Sequence, residues 1–327
     1  MAKTILVTGA AGFIGSHVSQ ALTGRGDRVV GLDNLDPYYD PAIKRRNLAE
    51  VRAALPTGAS FTVVQGDIRN RELVEALFAR QRFDAIVHLA GLASVRYSIG
   101  RAARYNDVNV GGSIHLLDAA IKQGETGKSP NFIFASTSSV YGDTERIPFL
   151  ENDPCDRPLA PYPASKRAVE LLGYASHNAH GLDFTALRFF TVYGPRNRPD
   201  MMAHMLLDSV TKGRELELFA GGQLKRDWTY VDDIVQGVVA AVDRRLGYQT
   251  INLGRGEPVL LADFVEIAEK LAGGRASVRN TARPAADVEA TFANIDRARE
   301  LLGYAPSTSV AEGMGRVWEW YRGVYGP

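Results

Sequence analysis

The chain has little cysteine: Cys155 is the only one among its 327 residues. A single thiol forms no disulfide within the chain, so the core must hold the fold. Beside Pro154 and without a partner, that thiol reads as incidental rather than nucleophilic. Excess charge of either sign is also lacking, with 38 Lys and Arg against 37 Asp and Glu and a formal charge of +1. Nothing global draws such a protein to nucleic acid or to an anionic membrane, and an anionic ligand must be met by a local cluster. No apolar run approaches the ~20 residues of a membrane span. Lys3 leads directly into Thr4-Ile5-Leu6-Val7 without the pattern of a secretory leader. A cytoplasmic protein with no membrane and no nucleic-acid partner is therefore expected. Gly/Ser linkers, repeats and low-complexity tracts are missing too. The six histidines (His17, His88, His115, His177, His180 and His204) show no metal-ligand spacing, so no metal site is expected. His88, at the end of an apolar run, reads as a satisfied core residue.

What is present is a foldable chain, 45% hydrophobic and 23% charged, longer than one compact domain usually runs. Short apolar runs at 4–8, 28–32, 61–65, 85–89, 132–135 and 184–189 read as strands. Amphipathic stretches such as 72–80, 112–122 and 164–177 read as the helices between them. Apolar strands alternating with helices imply βαβ units around a buried parallel sheet. The fold class expected is α/β: a doubly wound (Rossmann) sheet with a smaller, interleaved C-terminal substrate-binding domain. After about residue 190 the texture changes to Arg- and Pro-rich loops such as Gly194-Pro195-Arg196-Asn197-Arg198-Pro199. Segments 231–244 and 250–253 look like returns to the sheet. The expected division is 1–189, with returns near 231–255, and 190–327. The basic run Lys44-Arg45-Arg46 reads as a solvated helix face, and Trp318, Trp320 and Tyr321 as the packed side of a C-terminal helix.

Gly9, Gly12 and Gly15 follow the first strand and open a helix, the context that a pyrophosphate-binding turn requires. Their spacing is G-x-x-G-x-x-G. Asp33 ends the second strand 18 residues after Gly15, where a carboxylate can take both ribose hydroxyls and repel a 2′-phosphate. Asn34 follows it rather than a basic residue, which favours NAD over NADP. Asp67 and Ile68, at the end of the third strand, are placed to bracket the adenine.

Some 150 residues after the glycines, Tyr162 and Lys166 are spaced Tyr-x-x-x-Lys. A free Tyr titrates near pH 10, about three units above neutrality, so as a base it needs help. An ammonium four residues along a helix lies on the same face and favours the phenolate. The pair points to redox chemistry on an alcohol. Pro163 directly after Tyr162 disfavours a helix interior there and suits a first helical turn.

The stretch from Thr8 to Gly15, His88-Leu89-Ala90-Gly91, Ser136-Thr137-Ser138-Ser139-Val140-Tyr141-Gly142 and Tyr162-x-x-x-Lys166 resemble the extended short-chain dehydrogenase/reductase superfamily. Arg226-Asp227-Trp228-Thr229-Tyr230-Val231-Asp232-Asp233 and Arg283-Pro284 are similar to its nucleotide-sugar branch. Leu32-Asp33-Asn34-Leu35-Asp36-Pro37-Tyr38-Tyr39-Asp40-Pro41, Ser94-Val95-Arg96-Tyr97-Ser98 and Thr191-Val192-Tyr193 with the loop through Asp200-Met201 narrow the resemblance toward UDP-glucuronate 4-epimerases. It implies bound NAD and C4 epimerisation of UDP-glucuronate to UDP-galacturonate through a 4-ketone, hydride returning to the opposite face. Thr137 would then partner Tyr162 at the reacting oxygen, and Lys166 would hold the nicotinamide ribose. Phe13, Ile14, Leu89, Ala90 and Gly91 would join the cofactor site, and Ser94 the substrate site. Relatives that dehydrate or decarboxylate carry carboxylates at or next to positions 138 and 139. Ser138 and Ser139 lack that second acid or base and, being neutral donors, can hydrogen-bond an acidic sugar. Thr191 and Arg198 would add to that grip, Arg226 and Arg283 would meet the diphosphate, and Arg96 either the sugar or a loop. The resemblance also implies a homodimer paired through the helices at 112–122 and 164–177. A UDP-glucose 4-epimerase and a UDP-glucuronate decarboxylase are the alternatives among enzymes. A dinucleotide sensor without catalysis is a third, against which Thr137, Tyr162 and Lys166 stand intact.

Overall fold

The computed structural model describes residues 2–284 and 287–326. Its main sheet starts with β1 (Thr4–Thr8), β2 (Arg28–Asp33), β3 (Phe61–Gln65), β4 (Ala85–His88), β5 (Asn131–Thr137) and β6 (Phe184–Phe189). Between and around them run α1 (Phe13–Gly24), α2 (Pro41–Ala54), α3 (Arg71–Arg80), the short α4 (Val95–Ser98) and α5 (Ala102–Tyr105), then α6 (Gly112–Glu125) and α7 (Pro161–His180). The chain then leaves through β7 (Thr191–Tyr193), α8 (Met202–Lys212), β8 (Leu216–Phe219) and β9 (Lys225–Tyr230). It returns with α9 (Val231–Val242) and β10 (Tyr248–Leu253) before ending in β11 (Pro258–Leu260), α10 (Leu261–Ala272), β12 (Val278–Thr281), α11 (Asp296–Leu302) and α12 (Val310–Tyr325).

The seven parallel strands lie in the order β10-β6-β5-β4-β1-β2-β3, with β11-β9-β7 and β12-β8 as separate small sheets. Strand alternation explains why both faces are covered. Ile5, Val7, Ile133 and Leu187 face a cluster with Phe13, Val18 and Leu22 of α1 and Ile234 and Val238 of α9. Leu6, Ile86, Phe132 and Phe134 face the other side, against Val74 and Leu77 of α3, Leu116 and Leu117 of α6 and Val169 of α7. A sheet apolar on both faces needs helices on both, which is why its strands read as unbroken apolar runs.

The observed strands agree with the expected ones to within two residues at either end. β10 extends the sheet beside β6, with Ile251 opposite Leu187, and α9 lies on the α1 face. Two local signals fix α7. Pro161 stands in its first turn, and Gly181 closes it at φ 66°, a left-handed position where a glycine costs nothing. Tyr162 thus sits in the first turn, as Pro163 requires. The strand order reverses between β1 and β4, and a cleft opens there at the C-terminal ends of the strands.

Candidate active site

A cavity of about 470 Å³ fills that cleft, within the usual size of a small-molecule site. One end is backbone. Gly9 adopts φ 70°, and a Cβ on it would lie 2.8 Å from Ala90 N. A Cβ on Gly15 would lie 2.0 Å from Gly9 O, so β1, its turn and α1 meet only because these side chains are absent. Gly12 caps α1 without a side chain, leaving the first amides of the helix for an anion. At the end of β2, Asp33 is buried, its Oδ2 accepting Ala11 N at 3.0 Å and its Oδ1 accepting Leu35 N at 2.8 Å. That leaves the carboxylate fixed and directed at the cavity, as a ribose diol needs. Asn34 donates to Asp67 Oδ2 at 2.8 Å. Hydrogen bonds from Arg69 then outweigh burial and hold Asp67 down at about 2. Phe13, Ile14, Asp67, Ile68, Leu89, Ala90 and Gly91 all face the cavity. The chemistry of this half suits a dinucleotide.

The other half carries the residues expected at the reacting centre. Thr137 ends β5 and caps the turn at Ser138–Tyr141, its Oγ1 accepting Ser139 N and donating to Ser139 Oγ, both at 3.2 Å. Tyr162 and Lys166 stand beside it on α7. Burial pushes the Tyr162 phenol up, while its hydrogen bond with Thr137 and the charge of Arg198 pull it back. Lys166 is buried, which brings it down to about 8, and its Nζ donates to Ala135 O at 2.9 Å. Here the structure departs from the simple expectation of an ammonium stabilising a phenolate. Lys166 is turned onto the strand end and toward Gly91, where a Cβ would lie 3.2 Å from its Nζ. The groups that favour the phenolate here are Thr137 and Arg198.

Of the residues expected at the sugar, Ser94, Thr137, Ser139, Thr191 and Arg198 line the cavity, while Ser138, beside Ser139, does not. Arg198 is not free. Its Nε and Nη2 bind Asp200 at 2.9 and 3.0 Å, and Tyr38 OH donates to the same carboxylate at 3.0 Å. Nη1 is left as its open corner among the described residues. Arg96, Arg226 and Arg283 stand apart from the cavity wall and gather at Asp287. Arg96 reaches its Oδ2 at 3.0 Å, Arg226 its Oδ1 at 3.6 Å, and Arg283 donates to its backbone O at 2.6 Å. Arg283 also faces Glu289 at 3.5 Å. Burial lowers Arg226, which the carboxylate of Asp287 only partly offsets.

Several cavity residues lay outside the sequence reasoning. Lys44 corrects it: far from a solvated face, it is buried, lines the cavity, and sits 3.9 Å from Asp33 and 4.9 Å from the Tyr39 ring centroid. Arg46, from the same run, packs over Tyr325 and bonds its hydroxyl at 2.7 Å. Only Arg45 of the three is exposed. The contiguous charges misled, because helix periodicity sends neighbours to different faces. Asn109, in a π-helical turn, ties Leu92 N at 2.7 Å and Ser165 Oγ at 2.9 Å behind the cavity. No spacing marked it. His88 is a satisfied core residue, between Thr8 Oγ1 at 2.7 Å and Ser113 Oγ at 2.8 Å, and burial lowers it to about 3.

A doubly wound sheet, a side-chain-free turn at its switch point and a Tyr–Lys pair across the cleft define a dinucleotide-dependent enzyme acting on an alcohol. Residues 5–254 match the sequence model of the NAD dependent epimerase/dehydratase family. Similar proteins include UDP-glucuronate 4-epimerase 3 of Arabidopsis thaliana, 39% identical over 98% of this chain and 77% of that one. The crystal structure of UDP-glucuronic acid 4-epimerase from Bacillus cereus, in complex with UDP-glucuronic acid and NAD, is 33% identical with a TM-score of 0.89, covering 98% of this chain and 100% of that one. A UDP-glucose 4-epimerase from Thermotoga maritima, with UDP-glucose, is 30% identical with a TM-score of 0.86, over 98% and 99% of the two chains. This chain belongs to the NAD dependent epimerase/dehydratase family.

Proposed function

We propose that this chain is an NAD-dependent isomerase that interconverts UDP-glucuronate and UDP-galacturonate at C4. The observation that carries the reading is a shared wall: Thr137, Tyr162, Lys166, Ser139, Thr191 and Arg198 line the same cavity as the glycine turn. When bound, NAD accepts the C4 hydride and returns it to the other face of the resulting 4-ketone. Tyr162 takes and gives back the proton of O4, with the Thr137 hydroxyl holding that oxygen. Lys166 and Asp33 hold the two riboses, Asn34, Asp67 and Ile68 the adenine end, and Ser94 the sugar. Arg96, Arg226 and Arg283 outnumber the carboxylates between them, which suits a diphosphate. On this reading residues 1–189, with the returning α9 and β10, carry the cofactor, and 190–327 supply the UDP-sugar's contacts.

A uronate oxidised at C4 is a β-keto acid, and it loses carbon dioxide when the carboxylate bond aligns with the carbonyl π system. Ser139, Thr191 and the open corner of Arg198, which line the cavity as Ser138 does not, would hold that bond near the carbonyl plane. Incubating the protein with UDP-glucuronate and following the sugar by proton NMR should yield UDP-galacturonate without UDP-pentose. Thr191→Ala and Arg198→Ala should both raise the pentose share. Slower turnover at an unchanged product ratio would remove the grip from the account. One observation favours a second reading: Asp200 already balances the charge of Arg198, so a neutral UDP-hexose also meets a compatible site. Interconversion of UDP-glucose and UDP-galactose with no reaction of the uronate would establish that reading in place of the first.

The reading extends to a homodimer. Ile114 on α6 and Leu171 and Tyr174 on α7 are exposed apolar side chains, the last two at 54% and 55%. Leu171→Glu with Tyr174→Glu should turn a dimer in light scattering into a monomer. A monomeric parent protein would end the proposal.

A further inference from the structure

Ala135, Ser136 and Thr137, the last residues of β5, each engage a different turn of α7. The Ala135 carbonyl accepts Lys166 Nζ at 2.9 Å, Ser136 Oγ donates to Glu170 Oε1 at 2.5 Å, and Thr137 shares the cavity wall with Tyr162, whose phenol it draws down. Tyr162, Lys166 and Glu170 are spaced four apart and so share one helix face. Glu170 is fully buried, and nothing in the chemistry above uses it. Its carboxylate takes Arg188 Nε at 3.0 Å and Nη2 at 2.8 Å in a fork, and Arg167 Nη1 at 2.9 Å. Arg188, itself buried, lies opposite Ser136 in the β5–β6 register, with its guanidinium 4.8 Å from the Tyr141 ring centroid. Burying an ion pair adds little stability over apolar residues of the same volume, so stability does not explain its place beside the reacting groups.

We propose that Glu170 is a positioning residue for the proton transfer: through Ser136 and Arg188 it fixes α7 in register on β5, and with it the approach of Tyr162 and Lys166 to Thr137. The inference rests on the acid–base reading of Tyr162 given above. Charge alone does not link the two. The field of Glu170 acts on Cys155 and Tyr248, alongside Arg167 and Arg188, whereas Thr137 and Arg198 are the groups that act on Tyr162.

The test compares Glu170→Gln with the double variant Glu170→Leu/Arg188→Met, which removes both buried charges. Glu170→Gln should lower kcat by about 10- to 100-fold, with KM within about threefold, the signature of lost alignment. The double variant should regain the parent's melting temperature while kcat stays low. It decides alone if the single variant does not fold. A second readout needs no turnover: the ultraviolet titration of the Tyr162 phenolate, taken as the difference from the matching Tyr162→Phe protein. With register lost, Tyr162 loses Thr137 and its titration moves to higher pH. Parental kcat in folded Glu170→Gln, or recovery of kcat together with melting temperature in the double variant, would overturn the proposal. If the parent protein turns over neither UDP-sugar, the functional reading fails by itself. The titration then decides: an unmoved phenolate in the double variant sinks the positioning role, and an upward shift sustains it.

Discussion

Tyr162→Phe is expected to lower kcat by about a hundred- to ten-thousandfold, the span of positioned acid–base catalysis, while KM stays near the parent's. The phenol oxygen matters only while the proton moves, so its loss falls on the transition state and not on substrate binding. Nothing else in the site has reason to change. Phenylalanine fills the same volume, keeps the edge contact with the Tyr105 ring at 6.2 Å, and keeps α7 on β5 through Lys166 and Ala135. The cofactor should therefore remain bound. Initial rates at saturating UDP-sugar, together with cofactor released from denatured protein, check both parts. A kcat within tenfold of the parent's would mean that another group carries the proton, and Thr137 with Ser139 would be the first place to look.

Gly15→Ala should strip the protein of its dinucleotide. The new Cβ would lie 2.0 Å from Gly9 O and 2.8 Å from Gly9 C, both backbone atoms that no rotamer change can move. The turn must open or α1 must slide, at a cost of roughly 1–3 kcal/mol, about five- to 150-fold in the equilibrium constant for a ligand that needs the closed turn. Gly24→Ala is the control. It lies at the other end of α1 with nothing within 4 Å of the added methyl, so it should be neutral or slightly stabilising. Cofactor content and melting temperature of the two variants give the answer. A Gly15→Ala protein with a full complement of dinucleotide would show that the turn tolerates what its geometry forbids.

Those two residues were visible in the sequence because their signals are local. A glycine after a strand and before a helix, or a Tyr four residues before a Lys behind a Pro, is a statement about one turn of chain. The limits of β1, β3 and β6 were legible for the same reason: apolar runs of four to six residues between breakers leave few alternatives. Lys44 was misjudged because three consecutive charges look like one surface, and only the docking of α2 decides which of them points inward. Glu170 was invisible for a different reason. On a helix surface its spacing from Arg167 would be an ordinary exposed pair. Burial against β5 and β6 turns it into an anchor, and burial is not a local property.

The sequence by itself determined the alternation of strands and helices, the glycine turn with Asp33 at the end of the next strand, and the Tyr162–Lys166 spacing on one helix face. Each of these depends on backbone geometry or side-chain chemistry within a few residues. The tertiary structure decided how charges pair. It set Asp200 against Arg198, gathered Arg96, Arg226 and Arg283 at Asp287, and locked Glu170 to Arg188. Coulomb and hydrogen-bond energies depend on distances in space, and partners such as Arg96 and Asp287, 191 residues apart in the chain, acquire a distance only when the chain is folded.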